Sequence, residues 1–99
     1  MAKRLKEARL RAGMSQKALG ISAGIDEFSA SPRVNQYEQG KHVPDLLTAE
    51  RLAKALQVPT PFLYARDDAL ASWILAHDIV DAGTRRAILR KVMKRALRG

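Results

Sequence analysis

Two short segments in the first half of the chain limit what it can fold into. The first follows Ser15 and stops at Gly24, and the second begins at Ser31 and Pro32 and stops at Gly40. Serine is a favoured helix N-cap, proline fits the first helical turn, and glycine ends helices. The sequence therefore predicts two short capped helices with a connection between them.

The rest of the chain carries similar start and stop residues and has no β-alternation of useful length. We predict an all-α fold with five helices in residues 1–66 and a two-helix C-terminal extension in residues 67–99. The predicted bounds are 3–12, 15–23, 31–39, 46–56, a short helix from residue 60, a sixth from residue 67 or 68, and 85–97. Residues 25–30 are left as an irregular connection.

The charge of the chain is strongly positive and unevenly distributed. Eighteen basic and ten acidic residues give a net charge of +8 in 99 residues. Residues 67–83 contain four Asp and no Lys or Arg, whereas residues 84–99 contain seven basic residues and no acid. The excess suits neutralisation of nucleic-acid phosphates, and the two oppositely charged segments suit contact with each other or with a partner.

Several classes of protein are disfavoured by the composition. The chain has no cysteine, hence no disulfide or thiolate metal site, and no apolar run near the length of a membrane span. His77 and Asp78 lack the spacing of a metal site or a triad, and the adjacent Asp67 and Asp68 are typical helix caps. We expect a cytoplasmic protein that is not an enzyme, with no cofactor, no metal and no membrane association.

Residues 4–65 resemble the phage Cro and repressor type of helix-turn-helix domain, the xenobiotic-response-element family. The resemblance rests on ordered residues, chiefly Arg4-Leu5-Lys6-Glu7, Gly13-Met14-Ser15-Gln16, Leu19, Gly24-Ile25, Tyr37-Glu38, Gly40-Lys41 and Leu52-Ala53-Lys54-Ala55-Leu56. It implies five helices, a third helix in the major groove, and dimers on near-palindromic operators. The connection at residues 25–30 is about four residues longer than the usual turn of the family.

Four residues at the start of the third predicted helix are the candidate base contacts: Ser31, Pro32, Arg33 and Gln36. The N-terminal half of this helix is the part that enters the groove in the motif. Arginine pairs bidentately with guanine, and glutamine with adenine. Val34 is expected to face inward, together with Tyr37.

A second set of polar residues is predicted to contact DNA phosphates: Ser15, Gln16, Asn35, Gln39, Lys41 and His42. The free N–H groups at the start of the second helix favour phosphate beside Gln16. Asn35 is expected to lie off the face that Arg33 and Gln36 share. The resemblance also implies a structural ion pair between Arg9 and Glu38, which fixes orientation.

The last helix is predicted to have one apolar face and an otherwise basic surface. It can pack on the sixth helix, pair across a two-fold axis, or act as a basic arm for DNA or a membrane surface. We expect a homodimer whose interface includes residues 70–97. The predicted function is a sequence-specific regulator of transcription that represses, with the helix at 31–39 in the major groove of double-stranded DNA. The alternatives are an antitoxin, whose residues 67–99 hold a protein partner, and a protein-interaction module without DNA binding.

Overall fold

The fold is all-α, as the sequence predicts. The computed structural model describes residues 1–98, which form seven helices and no strand. The helices are α1 (Ala2–Arg11), α2 (Gln16–Ser22), α3 (Glu27–Glu38), α4 (Leu46–Leu56), α5 (Thr60–Tyr64), α6 (Asp68–Ile79) and α7 (Ala82–Arg98). The molecule is elongated, with extents of 55 × 24 × 22 Å. No helix in residues 1–98 combines the length and apolarity needed to cross a bilayer.

Helices α1 to α5 enclose one hydrophobic core. Helix α2 lies along α3, while α1 contacts both α3 and α5, and α4 contacts α2 and α5. The largest fully buried side chains of the core are Leu5, Leu19, Val34, Leu52, Phe62 and Leu63. Val34 and Tyr37 are buried, so their predicted inward orientation is confirmed. Packing both residues inward leaves the opposite side of α3 toward solvent.

Three of the seven helix starts in residues 1–98 are set by side-chain caps that were predicted from the local sequence. Ser15 Oγ accepts a hydrogen bond from the Ala18 N–H at 3.0 Å. Asp45 Oδ1 accepts from the N–H of Thr48 at 2.8 Å, and Asp67 caps α6 in the same way. Each cap satisfies an amide that has no partner within its own helix, which is why these boundaries depend little on the rest of the fold.

The predicted start of α3 at Ser31 is wrong. The helix begins at Glu27, and the Phe28 N–H donates to Asp26 Oδ2 at 3.0 Å. Pro32 therefore lies inside the helix rather than in its first turn. The connection from α2 is only residues 23–26, so the extra residues of this region lengthen α3 instead of the turn.

A close contact between α2 and α3 explains why the additional turn is helical. A Cβ atom built on Gly20 would lie 2.6 Å from the Ala30 Cβ, and Ala30 is completely buried. This approach packs the added turn against α2. Burial at Ala30 thus compensates for the backbone hydrogen bond that Pro32 cannot donate to the Phe28 carbonyl.

Helix α6 is attached to the core by its first half. Ala71 is buried, and Ile74 and Leu75 pack against the core. Arg4 of α1 is also buried, and its guanidinium donates to the Ala65 carbonyl at 2.7 Å and to Asp68 Oδ1 at 2.7 Å. Arg4 therefore connects α1 to the end of α5 and to the start of α6.

Helix α7 extends away from the core with no buried residue. It begins earlier than predicted, because Asp81 Oδ1 accepts from the Thr84 N–H at 2.9 Å and Gly83 falls inside the first turn. The predicted boundary at Gly83 is wrong, because Asp81 caps the helix and the first helical residue is Ala82. Near its start, the Arg85 side chain donates to the His77 carbonyl at 2.6 Å.

Candidate nucleic-acid interface

The side of α3 opposite the core forms a stripe of exposed residues in which only Asn35 is half-buried. The buried residues Ala30, Val34 and Tyr37 follow the spacing i, i+4, i+7. The same geometry places Phe28, Pro32, Asn35 and Gln39 one above another on the far side. We call these four residues the outward stripe. It is the surface that α3 offers to a ligand.

The predicted base-contacting residues do not all lie on this surface. Pro32 belongs to the outward stripe, and Gln36 lies beside it with its side chain exposed. Arg33 is exposed at one edge of the stripe, whereas Ser31 is half-buried at the other edge. The later predicted start had placed all four residues in the first turns of the helix. They occupy its middle instead, because α3 begins four residues earlier.

Side-chain amides join α3 to the start of α2. Gln16 Nε2 donates to Asn35 Oδ1 at 3.2 Å and to Glu38 Oε1 at 3.3 Å. Gln39 Nε2 lies 3.4 Å from the same Asn35 oxygen. Three of the predicted phosphate-contacting residues, Gln16, Asn35 and Gln39, therefore form one cluster across the two helices. Asn35 lies on the outward stripe and directly precedes Gln36, so it projects about 100° round the helix from Gln36, which agrees with its expected place off the face that Arg33 and Gln36 share.

Beneath this cluster, a bidentate ion pair connects α1 to the end of α3. Arg9 Nε and Nη2 donate to the two Glu38 carboxylate oxygens at 2.6 and 3.1 Å, and Arg9 Nη1 donates to the Met14 carbonyl at 2.9 Å. Only 3% of the Glu38 side chain is exposed. The hydrogen bonds that Arg9 donates to Glu38 raise the pKa of Arg9, which stays charged. Because Glu38 also accepts from Gln16, the pair orients the amide cluster.

The loop after α3 presents two of the predicted phosphate contacts to solvent. Gly40 has a φ of +73°, and the Lys41 N–H donates to the Gln36 carbonyl at 3.0 Å. This left-handed glycine closes the helix with the hydrogen bond of a Schellman motif. Lys41 and His42 follow directly and are exposed. Ser15, the remaining predicted phosphate contact, is exposed but already accepts the capping bond of α2.

Comparisons with known proteins agree with this geometry. The profile of the Helix-turn-helix family matches residues 5–63, which include all of α2 and α3. The chain belongs to the Cro/C1-type helix-turn-helix family. This is a family of DNA-binding regulators of transcription. No curated protein gives a significant match.

A solved structure resembles the chain beyond the helix-turn-helix core. The crystal structure of the transcriptional regulator BswR is 46% identical, with a TM-score of 0.86. The similarity covers 95% of this chain and 93% of that chain. The C-terminal helices are therefore shared with that regulator rather than being peculiar to this sequence.

Sequence reasoning did not identify the positions of two residues in this helix-turn-helix protein, one on the exposed surface of α3 and one buried between helices. Phe28 lies at the front of α3 and is 84% exposed, but the sequence interpretation placed it in a connection. Asp26 was the available clue, since aspartate is as good an N-cap as serine. Arg4 was noted only as part of the family resemblance, because its acceptors Ala65, Arg66 and Asp68 are more than 60 residues away in sequence.

Proposed function

We propose that this chain is a sequence-specific regulator of transcription that inserts α3 into the major groove of double-stranded DNA. The observation that carries the proposal is the outward stripe with its neighbours Arg33 and Gln36. These side chains include the types that pair with guanine and adenine edges in the major groove. The Arg9–Glu38 pair and Gln16 hold α3 in a fixed pose, which favours selective binding over adaptable binding.

The phosphate contacts in this proposal come from both ends of the motif. The N-terminus of α2, at Ser15 and Gln16, offers unpaired backbone amides and the positive end of the helix dipole. Lys41 and His42 lie beyond the other helix, in the loop that Gly40 redirects. Such contacts fix the position of the protein on the duplex but do not select its sequence.

A selection from random duplex DNA, followed by gel-shift measurements on the selected site, tests the proposal. Arg33→Ala and Gln36→Ala should each weaken binding to the selected site by about 1–3 kcal/mol and relax sequence preference. Lys41→Ala should weaken binding to all duplexes alike and reduce the salt dependence of the affinity by about one unit of slope. Absence of salt-dependent duplex binding would favour a protein-interaction module instead.

We further propose that the protein is a homodimer whose interface includes residues 70–97 and that the dimer binds near-palindromic operators. Five apolar side chains of α7 are exposed in the single chain: Ile88, Leu89, Val92, Met93 and Leu97. Trp73 of α6 faces the open groove between α6 and the start of α7, a volume of about 480 Å³. A single helix-turn-helix domain covers one half-site, so two copies are needed for a palindrome.

Charge favours a second copy as the occupant of this groove. Helix α7 carries seven basic residues and no acid, whereas residues 67–83 carry only acidic charges. The Arg85 guanidinium donates to the backbone carbonyls of His77 and Asp78 in α6. The described residues contain no ion pair between α6 and α7. Packing α7 of one copy over the groove of the other would cover the apolar face and bring opposite charges together.

Sedimentation of the full chain tests the dimer. Replacing Leu89 and Val92 with glutamate should give a monomer at tens of micromolar, where the unaltered chain is a dimer. A matched control outside α6 and α7, Lys6→Gln with Lys54→Gln, changes the net charge by the same amount and should remain dimeric. A monomeric unaltered chain would overturn the dimer and leave the apolar face for a different protein, as an antitoxin requires.

A protein bound to an operator blocks other proteins from that DNA without any additional activity, so we propose that this regulator represses transcription. We also propose that it acts in the cytoplasm, as the compartment that holds the DNA. A reporter gene with the selected site inside its promoter distinguishes repression, as reduced expression, from activation.

A further inference from the structure

Phe28 is the most exposed aromatic side chain in residues 1–98. It is the second residue of α3, and 84% of it is accessible to solvent, compared with 68% for Trp73. The core does not use it, and its backbone N–H is occupied by the Asp26 carboxylate. A single exposed apolar residue needs no explanation by itself. Its place relative to the other exposed residues of α3 gives it significance.

Phe28 lies at the N-terminal end of the outward stripe, one turn before Pro32. The two residues are four apart, so the phenyl and pyrrolidine rings are neighbours on one face. Asn35 and Gln39 continue the same stripe toward the C-terminus with side-chain amides. The surface that α3 offers to DNA is therefore apolar at its front and polar at its back.

We propose that Phe28 is a specificity-determining residue that contacts the 5-methyl group of a thymine in the major groove. Thymine presents the only apolar group among the base edges of that groove, and an apolar side chain is its typical partner. In helix-turn-helix complexes the N-terminal residues of the groove-bound helix contact base edges. The inference deepens the proposed DNA binding and rests on it.

The charges beside Phe28 disfavour a contact with the DNA backbone. Asp26 and Glu27 place two carboxylates at the start of α3, and neither is in an ion pair within the described residues. Negative groups at this end repel phosphate, although the helix dipole alone would attract it. Phe28 is therefore better suited to an apolar base edge than to a phosphate.

Replacing single thymines of the selected operator with deoxyuridine tests the contact. This change removes only the methyl group and preserves every base-pairing hydrogen bond. At the contacted position, the unaltered protein should lose about fourfold in affinity, which corresponds to about 0.8 kcal/mol for one buried methyl. Phe28→Ala should bind the thymine site more weakly and should not distinguish thymine from deoxyuridine there.

A second variant separates this effect from the general loss of an apolar surface residue. Leu10→Ala removes another exposed apolar side chain, from α1, and should retain the full response to deoxyuridine. Circular dichroism should show both variants folded, since neither side chain belongs to the core.

The outcomes separate this inference from the proposed function. A methyl response that is lost in Phe28→Ala at one position and kept in Leu10→Ala supports the thymine contact. If the protein binds its selected site but Phe28→Ala shows the same responses as the unaltered chain at every thymine, the contact is overturned and DNA binding stands. If no duplex is bound selectively, the proposed function fails and the inference fails with it.

Discussion

Helices α4 and α7 each carry an apolar stripe, but only α4 buries it within the chain. Ala49, Leu52 and Leu56 of α4 are all buried, whereas Leu89 and Leu97 of α7 are 60% and 84% exposed. The two helices differ in what surrounds them rather than in their patterns. An amphipathic pattern thus predicts that a helix needs a partner, but the pattern cannot say whether the partner belongs to the same chain.

Truncating an apolar side chain of the α1–α5 core should lower stability far more than truncating one of α7, and this is the largest difference that we expect. Phe62→Ala empties a fully buried site and should lower the free energy of unfolding by about 3–5 kcal/mol. Leu97→Ala should change it by less than about 0.5 kcal/mol in the monomer. Denaturant titration at a concentration below dimerisation measures both. A comparable loss from Leu97→Ala would mean that α7 packs within its own chain.

Charged residues of the α1–α5 core and of α7 should differ almost as much in their effect on the free energy of unfolding. Arg9→Ala leaves the Glu38 carboxylate nearly inaccessible and without its guanidinium, which should cost about 3 kcal/mol. Arg90→Ala, on exposed α7, should have almost no effect on unfolding. The same titrations give both values. Replacing Arg9 and Glu38 together by leucine should recover part of the loss, and failure to recover it would assign the cost to packing.

Two glycines, one in the core and one in α7, compare how closely neighbouring atoms approach the backbone in each region. Gly20→Ala places a methyl 2.6 Å from Ala30 Cβ and should destabilise the protein by about 1–3 kcal/mol despite the better helix propensity of alanine. Adding Ala30→Gly should restore part of the stability. Gly83→Ala, in α7, approaches only the Asp81 side chain and should stay within about 0.5 kcal/mol. Thermal unfolding followed by circular dichroism compares them.

Lowering the pH should have the smallest effect on stability, and this effect should arise where the start of α6 contacts α1. The hydrogen bond from Arg4 holds the pKa of Asp68 below its usual value of 3.8. The stability from this contact is therefore present at neutral pH and is lost as pH falls below about 4. Asp68→Asn should flatten the decline of stability between neutral and acid pH. An unchanged decline would show that Asp68 does not couple α6 to the core.

The predictable parts of the fold were those fixed by neighbouring residues. Ser15, Asp45 and Asp67 each cap a helix through the amide three residues away, so the starts of α2, α4 and α6 follow from sequence alone. Val34 and Tyr37 were placed in the core because their spacing matches one helical face. The all-α class follows from these caps together with the absence of strand patterns.

The start of α3 was decided by tertiary structure. Locally, Ser31 and Pro32 form a better helix start than Asp26, and the interior proline removes a backbone hydrogen bond. Packing of Ala30 against Gly20 reverses that preference, because the close approach is available only when the preceding turn is helical. Together with the Asp26 cap, this contact also put Phe28 on the outward stripe.

The sequence by itself determined the helical class, most helix starts and the inward face of α3, because short-range hydrogen bonds and side-chain periodicity act within a few residues. Tertiary structure alone decided the length of α3, the burial of Arg4 against carbonyls 61 and 62 residues away, and the exposure of α7. These depend on which surfaces meet after the helices form, and that outcome is not encoded in any one segment.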